Sequence, residues 1–312
     1  MKKINLVSLL LISIVLFSCE KNVDMDLPEA DRKFVVEGSI EQNQPPFVIL
    51  TKTEGFFDPV DINSLQNAFI HNASVFVSNG TSNIQLTEIC TDQLPDSLLP
   101  TISELIGVSL NDLTSFGFCL YTTLDPLIFG EIGKTYSLTI NVEGQRLTST
   151  TTIPTPVLMD RYWYKDQPGF TDFGYLWFSL NDPPAPENAY RIYTQRKGKD
   201  SRFIPADGSV FDDGFFNGLT FDAFIFRGQE VNSQALDDVA ETSEYFLQGD
   251  TIIIKFCAID QPHFQFWNTF EIAAFNNGNP FSAPATIKTN IEGGLGVWGG
   301  YGVTYDTIVA VD

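Results

Sequence analysis

Alternation of apolar and polar residues is the dominant pattern along this chain, and it predicts strands. Residues 34–40 (Phe34-Val35-Val36-Glu37-Gly38-Ser39-Ile40) read as the first. Residues 47–52 follow as the second, across a turn at Asn43-Gln44-Pro45-Pro46. Residues 73–78 read as a strand with alternating faces, Asn79-Gly80 supplies a tight hairpin turn, and 84–88 return. A second hairpin joins 135–142 to 146–151 around Glu143-Gly144. Further strands are expected around 162–165, 175–180, 189–195, 220–227 and 250–259. The glycine-rich close, 293–302, reads as a last strand with Gly where backbones approach closely or bulge.

The period changes in two places. Leu98, Ile102, Leu105 and Ile106 recur at helical spacing within 92–115, which predicts one or two short helices. Phe264, Trp267, Phe270, Glu271 and Ala274 keep helical register through 263–275. Residues 55–63, with Phe56, Phe57 and Pro59, read as a loop. Short strands at this pace predict a mostly β protein: two antiparallel β-sandwich domains, Ig-like or transthyretin-like, with a few short helices. Ile153-Pro154-Thr155-Pro156 favours an extended, stiff link. The expected division is therefore 30–153, carrying a Cys-bridged helical insertion, and 154–312.

The start of the chain obeys a different rule. Lys2 and Lys3 precede an apolar run from Leu6 to Phe17, then Ser18 and Cys19. This is the layout of a secretory leader. A cysteine directly after the run resembles the lipobox of bacterial lipoproteins. That resemblance implies cleavage after residue 18, diacylglycerol on the Cys19 thiol and an acylated new amino group. An ordinary secretory signal and an uncleaved anchor are the alternatives, but the run falls short of the ~20 residues a spanning helix needs. Each buried CH2 of an acyl chain contributes about 0.8 kcal/mol, so three chains hold firmly. Residues 19–29 are acidic, contain Pro28 and read as a tether. Acidic residues behind a lipidated cysteine resemble export signals for surface display. The expected address is the outer membrane, on the cell surface, with a periplasm-facing lipoprotein as the alternative.

Composition narrows the partners. The net charge is −21, and loss of Lys2 and Lys3 makes the mature chain more acidic still. Such a charge repels phosphate backbones and argues against nucleic acid. Hydrophobic residues are 43% of the chain, enough for a buried core rather than a disordered tail. There are four cysteines. With Cys19 assigned to lipid, Cys90 and Cys119 flank the helical insertion and can oxidise outside the cytoplasm. Closing a loop of ~30 residues stabilises by roughly 3–4 kcal/mol in the chain-entropy model. Cys257 lies in the strand at 252–259 and reads as a small buried apolar residue. The chain has no C-x-x-C pair, and His71 and His263 stand far apart, which argues against a zinc site or a Cys/His nucleophile.

Three further groups carry candidate chemistry. Tyr162, Trp163, Tyr164 and Trp177 lie on aromatic strands, which can stack on sugar rings, line a peptide groove or pack a core. In a strand Tyr162 and Tyr164 share one face and Trp163 takes the other. Asp207, Asp212 and Asp213 sit among glycines, as calcium ligands do, but without the spacing of a helix–loop–helix site; a turn is the competing reading. Asp96-Ser97-Leu98, Asp250-Thr251-Ile252 and Asp306-Thr307-Ile308 resemble an Asp-Ser/Thr-apolar O-glycosylation acceptor. Acidic residues are plentiful, but nothing in the chain selects a hydrolytic pair, and no G-x-S-x-G, H-E-x-x-H or phosphate-loop pattern is present.

Several of these features occur in a recognisable order: the lipobox, Cys90 and Cys119, Gly130-Glu131-Ile132-Gly133-Lys134-Thr135-Tyr136 and Thr152-Ile153-Pro154. Asn279-Pro280-Phe281-Ser282 and the ending Asn290-Ile291-Glu292-Gly293-Gly294-Leu295-Gly296-Val297-Trp298-Gly299-Gly300-Tyr301 complete it. In these the chain resembles a family of bacterial outer-membrane lipoproteins, the domain of unknown function 4249. The resemblance implies secretion, lipidation and frequent association with TonB-dependent importers, and it implies no reaction and no catalytic residue. The expected function is a non-enzymatic binding or accessory subunit, without cofactor, serving such an importer with a peptide, glycan or metal complex. A structural or adhesive surface protein and a secreted hydrolase are the alternatives.

Overall fold

The hairpin of β7 (Thr135–Val142) and β8 (Gln145–Thr152) shows how the alternation is used. Tyr136, Leu138, Ile140 and Val142 are buried while the residues between them face outward. A computed structural model describes residues 31–55, 67–229, 244–276 and 286–311. The leader, Cys19, the tether, most of the 55–63 loop and Asn279-Pro280-Phe281-Ser282 lie outside the described residues.

Sixteen strands are found among the described residues, and they form three sheets. In the first half, β1 (Phe34–Glu41), β2 (Phe47–Lys52), β5 (Thr87–Cys90) and β6 (Cys119–Thr122) form one layer. β3 (Ser74–Ser78), β4 (Asn83–Gln85), β7 and β8 form the facing one. Their inner faces share one core that includes Val36, Ile40, Val48, Leu50, Val75, Tyr136 and Leu138. In the second half, β11 (Ala189–Arg196), β12 (Ile204–Asp212) and β15 (Thr251–Ile259) face a small sheet. That sheet comprises β9 (Arg161–Asp166), β10 (Phe173–Asn181), β13 (Thr220–Ile225) and β14 (Phe246–Leu247). Leu176, Phe178, Tyr190, Phe246, Ile254 and Phe256 meet in this second core. The expected mostly β, sandwich-like class with few short helices is what the structure shows.

The large sheet runs through the expected division at 153/154, and the first core takes in Ile291 and Trp298 from beyond it. The order of the sheet is β12-β11-β15-β16-β1-β2-β6-β5. β16 (Leu295–Val309) runs well beyond the expected end at residue 302. Its first half, Leu295 to Tyr301, pairs parallel with β1 on one side. Its second half, Gly302 to Val309, pairs antiparallel with β15 on the other. Residues Arg32–Asp312 accordingly cluster as a single compact body. Trp298, fully buried in the first core, donates its indole N–H to the carbonyl of Tyr136 at 3.1 Å. Its register partner is Gly38, where a Cβ would lie only 2.9 Å from the indole.

The outer face of the large sheet is covered at both ends. Near β2 and β6 the insertion folds as α1 (Leu99–Ile106) and α2 (Leu110–Phe116). Ser109 caps α2 by accepting the N–H of Asp112. Ile102, Leu105 and Ile106 pack on Phe47, Ile49 and Leu120. Cys90 and Cys119 are register partners on β5 and β6, and their disulfide closes the base of the insertion. At the other end lies α3 (Gln261–Phe275), capped by Asp260, which accepts the N–H of His263 at 3.0 Å. The other oxygen of Asp260 accepts from Thr151 and from the backbone of Thr152, so the cap also ties the helix to β8.

His263 packs directly over Gly299, where a Cβ would overlap the imidazole, and edge-on to Tyr301 at 4.6 Å. Burial, and secondarily the Arg191 charge, lowers its pKa to about 3. The folded state therefore keeps it neutral while the unfolded chain takes up a proton below about pH 6.5. Stability conferred by neutral His263 is complete above that value and is lost as pH falls towards 3. Between pH 6.5 and 4 the native chain should lose about 1.4 kcal/mol per pH unit relative to a His263→Gln variant. Urea unfolding across that range measures this; a pH-independent difference would show that His263 is not held neutral.

Candidate functional site

The small sheet of the second half turns one face inward and leaves the other open. Cross-strand pairing sets which residues share the open face. Trp163 is opposite Trp177, and Trp177 is opposite Phe224, so three aromatic rings form a row across β9, β10 and β13. Trp163 and Trp177 stack at 5.9 Å with an interplanar angle of 21°. Trp177 and Phe224 are 5.1 Å apart at 51°. Tyr175 extends the row, 4.9 Å from Phe224, 5.5 Å from Phe226 and 5.0 Å from Tyr245. Phe224 is 40% exposed, a large exposure for a ring on a sheet face.

Charged groups frame this face. The Arg161 guanidinium lies 4.4 Å from the Trp163 ring centre and 3.5 Å from the Asp222 carboxylate. Lys165 lies 5.8 Å from the ring of Trp177. These are exposed pairs, so each contributes little to stability, and their effect is on what the face can recognise. A shallow groove of about 620 Å³ opens between Trp177, Phe224, Phe226, Asp207, Gly208 and Asp222. The indole N–H of Trp177 is buried and has no acceptor among the described residues. Burial, with the Tyr245 hydroxyl beside it, raises the Tyr175 phenol to about 12, so its hydroxyl stays protonated at neutral pH.

The expected aromatic platform divides between the two faces. Trp163 and Trp177 are on the open side. Tyr162 and Tyr164 point into the second core, where Tyr164 is 3% exposed and its hydroxyl donates to the carbonyl of Phe246. As platform residues those two tyrosines are corrected: alternation sends them to the core. Phe224, Phe226 and Tyr245 belong to the face beyond the expected platform, as does Tyr175 from the aromatic strand that carries Trp177. The alternation of Phe224 and Phe226 along 220–227 was the available signal.

The calcium candidates are not brought together. Asp207 borders the aromatic groove and bridges to Phe226 where β12 bulges, while Asp212 and Asp213 lie at the far end of that strand and just beyond it. Asp212 accepts the N–H of Gly214, and buried Asp213 accepts the N–H of Asn188, so both serve a turn. The described residues contain one grouping with metal-ligand chemistry: His71, Glu88, Cys90 and Cys119.

A buried polar network underlies α3 on the far side of the same half. Arg191 lies 3.5 Å from the ring centre of Trp267 and 4.8 Å from that of Tyr193. It donates to Ser209 Oγ and to the Tyr301 hydroxyl, both at 3.2 Å. Ser209 in turn donates its N–H and hydroxyl to Glu271. Lys255 pairs with Glu41 at 2.5 Å, joining β15 to β1. Each charge has a partner, as burial requires. Cys257, beneath this network, has its thiol pushed up to about 12 by burial and stays protonated at neutral pH.

The fold and its open face define a two-core, sandwich-like β protein with a shallow aromatic surface. The chain belongs to the family described as domain of unknown function DUF4249, whose model matches residues 20–307. No curated protein matches it.

The stacked indoles have a spectroscopic consequence. Two Trp rings at this separation couple, giving a paired positive and negative band in far-ultraviolet circular dichroism. Trp163→Phe should abolish the band pair while costing only about 0.5–1.5 kcal/mol of stability. An unchanged spectrum would contradict the stacked geometry.

Proposed function

We propose that this chain is a lipid-anchored, non-enzymatic binding subunit of the outer membrane, displayed at the cell surface and working with a TonB-dependent importer. The observation that carries the binding role is the open row Trp163, Trp177 and Phe224 on a rigid sheet. Burying such rings in the molecule's own core would stabilise it, yet they are left partly open to solvent. Flat aromatic faces suit the apolar faces of sugar rings or the side chains of a peptide, and Asp207 and Asp222 offer acceptors at the edge. The anchoring role is supported by the leader and by the family match, which starts at residue 20, immediately after Cys19.

The chain purified from native membranes in mild detergent should bring with it a large outer-membrane β-barrel of the importer type. Metabolic palmitate should label the wild type, and Cys19→Ala should lose both the label and the outer-membrane location. Repeated absence of the barrel would contradict the importer role, and an unlabelled wild type would contradict the anchor.

A further inference from the structure

The disulfide at the base of the insertion has two metal-binding side chains beside it. The donor atoms of His71, Glu88, Cys90 and Cys119 all lie within 4.8 Å of one another. A tetrahedral zinc ion, with bonds of about 2.0–2.3 Å, holds its donors about 3.3–3.8 Å apart, so the set must draw in by about 1 Å while the two sulfurs part. We propose that reduction of Cys90–Cys119 converts this cluster into a site for one thiophilic divalent cation of the zinc class, held by two thiolates, the His71 imidazole and the Glu88 carboxylate.

The residues around the cluster fix it in place. Cys90 and Cys119 face each other across β5 and β6, so both thiols remain on one side after the bond is cut. Glu88, two residues before Cys90, projects from the same face of β5. Its Oε2 accepts the N–H of Asn72 at 2.8 Å, with the Tyr121 hydroxyl at 3.4 Å. That hydroxyl also accepts the N–H of Ala73 and donates to the carbonyl of Ile70. One turn, 70–73, thus holds His71 and orients Glu88. The remaining oxygen, Oε1, lies 2.5 Å from His71 Nδ1 and 3.8 Å from Cys90 Sγ. Such outer partners position metal ligands.

Access is open as well. His71 is half exposed and lines, with Asn72 and the β7–β8 turn at 141–146, a hollow of about 450 Å³. The reaction balances with a dithiol reductant. Two electrons and two protons from the reductant cleave the S–S bond, giving two thiols, and the reductant leaves as its own disulfide. Each cysteine thiol then releases one proton to solvent as it binds, and the cation keeps its oxidation state. The cation then closes the same loop between Cys90 and Cys119, so the base of the insertion stays fastened under oxidising and reducing conditions alike.

Cobalt(II) reports the site directly. The mature protein, reduced with a phosphine and titrated with Co2+ alone, should bind one equivalent. It should show the near-ultraviolet thiolate-to-metal band and the strong visible bands of tetrahedral cobalt, and Zn2+ should displace them. The oxidised protein should show neither. His71→Ala, at a half-exposed position, and Glu88→Gln should each weaken binding at least tenfold, and Cys90→Ser with Cys119→Ser should abolish it. Absence of the thiolate band in reduced wild type, or undiminished affinity in His71→Ala, would overturn the proposal.

Discussion

The parallel pairing of β16 with β1 is the constraint on which the rest of the fold depends. The last strand returns to the first across the whole length of the described chain, and it carries Trp298 into a core otherwise built by residues 34–153 together with Ile291. The same strand then leaves β1 and pairs with β15, where it supports the second core. Fifteen residues therefore serve two sandwiches in succession. The glycine-rich ending follows from this geometry. Gly38 leaves room for the Trp298 indole, and Gly299 leaves room for His263 from α3.

Continuity of the large sheet creates a second demand, since its outer face is long and partly apolar. The protein covers it with two unlike pieces. The insertion brings aliphatic side chains over β2 and β6 and is fastened by the cysteines. The helix α3 brings His263, Trp267 and Glu271 over β11, β12 and β16 and is fastened by Asp260 and the Arg191 network. With that face enclosed, the exposed aromatic surface falls to the small sheet of the second half. A rigid scaffold that spends its helices on one side and leaves rings open on the other is suited to presenting those rings to a ligand.

Local pattern made much of this legible. Hairpins with Asn-Gly or Gly at the turn, the short helices at 92–115 and the helix over 263–275 are determined by neighbours in sequence, and Cys90 and Cys119 flank the segment that their bridge closes. The strand β12 is not among the expected strands; the sequence offers only an oxygen-rich loop or a turn around Asp207, Asp212 and Asp213. β12 is an edge strand, where proline removes no needed donor. The parallel pairing of β1 with β16 left no local trace, since nothing in either segment names its partner. The same holds for the His71, Glu88 and cysteine cluster, which no spacing rule links, and for Arg191, whose partners lie on four separate elements. Half of the aromatic platform was legible from composition, but assigning its faces required the strand phase that buries Tyr162 and Tyr164.

By pairing with β1 and then β15, β16 welds the two halves into one folding unit. Amide hydrogen exchange under increasing denaturant tests it most directly, comparing β7 in the first core with β10 in the second. Both should exchange with the same free energy and the same denaturant dependence, as parts of one global unfolding. If β10 loses protection at a distinctly lower denaturant concentration than β7, or the reverse, the halves unfold separately and the weld does not hold.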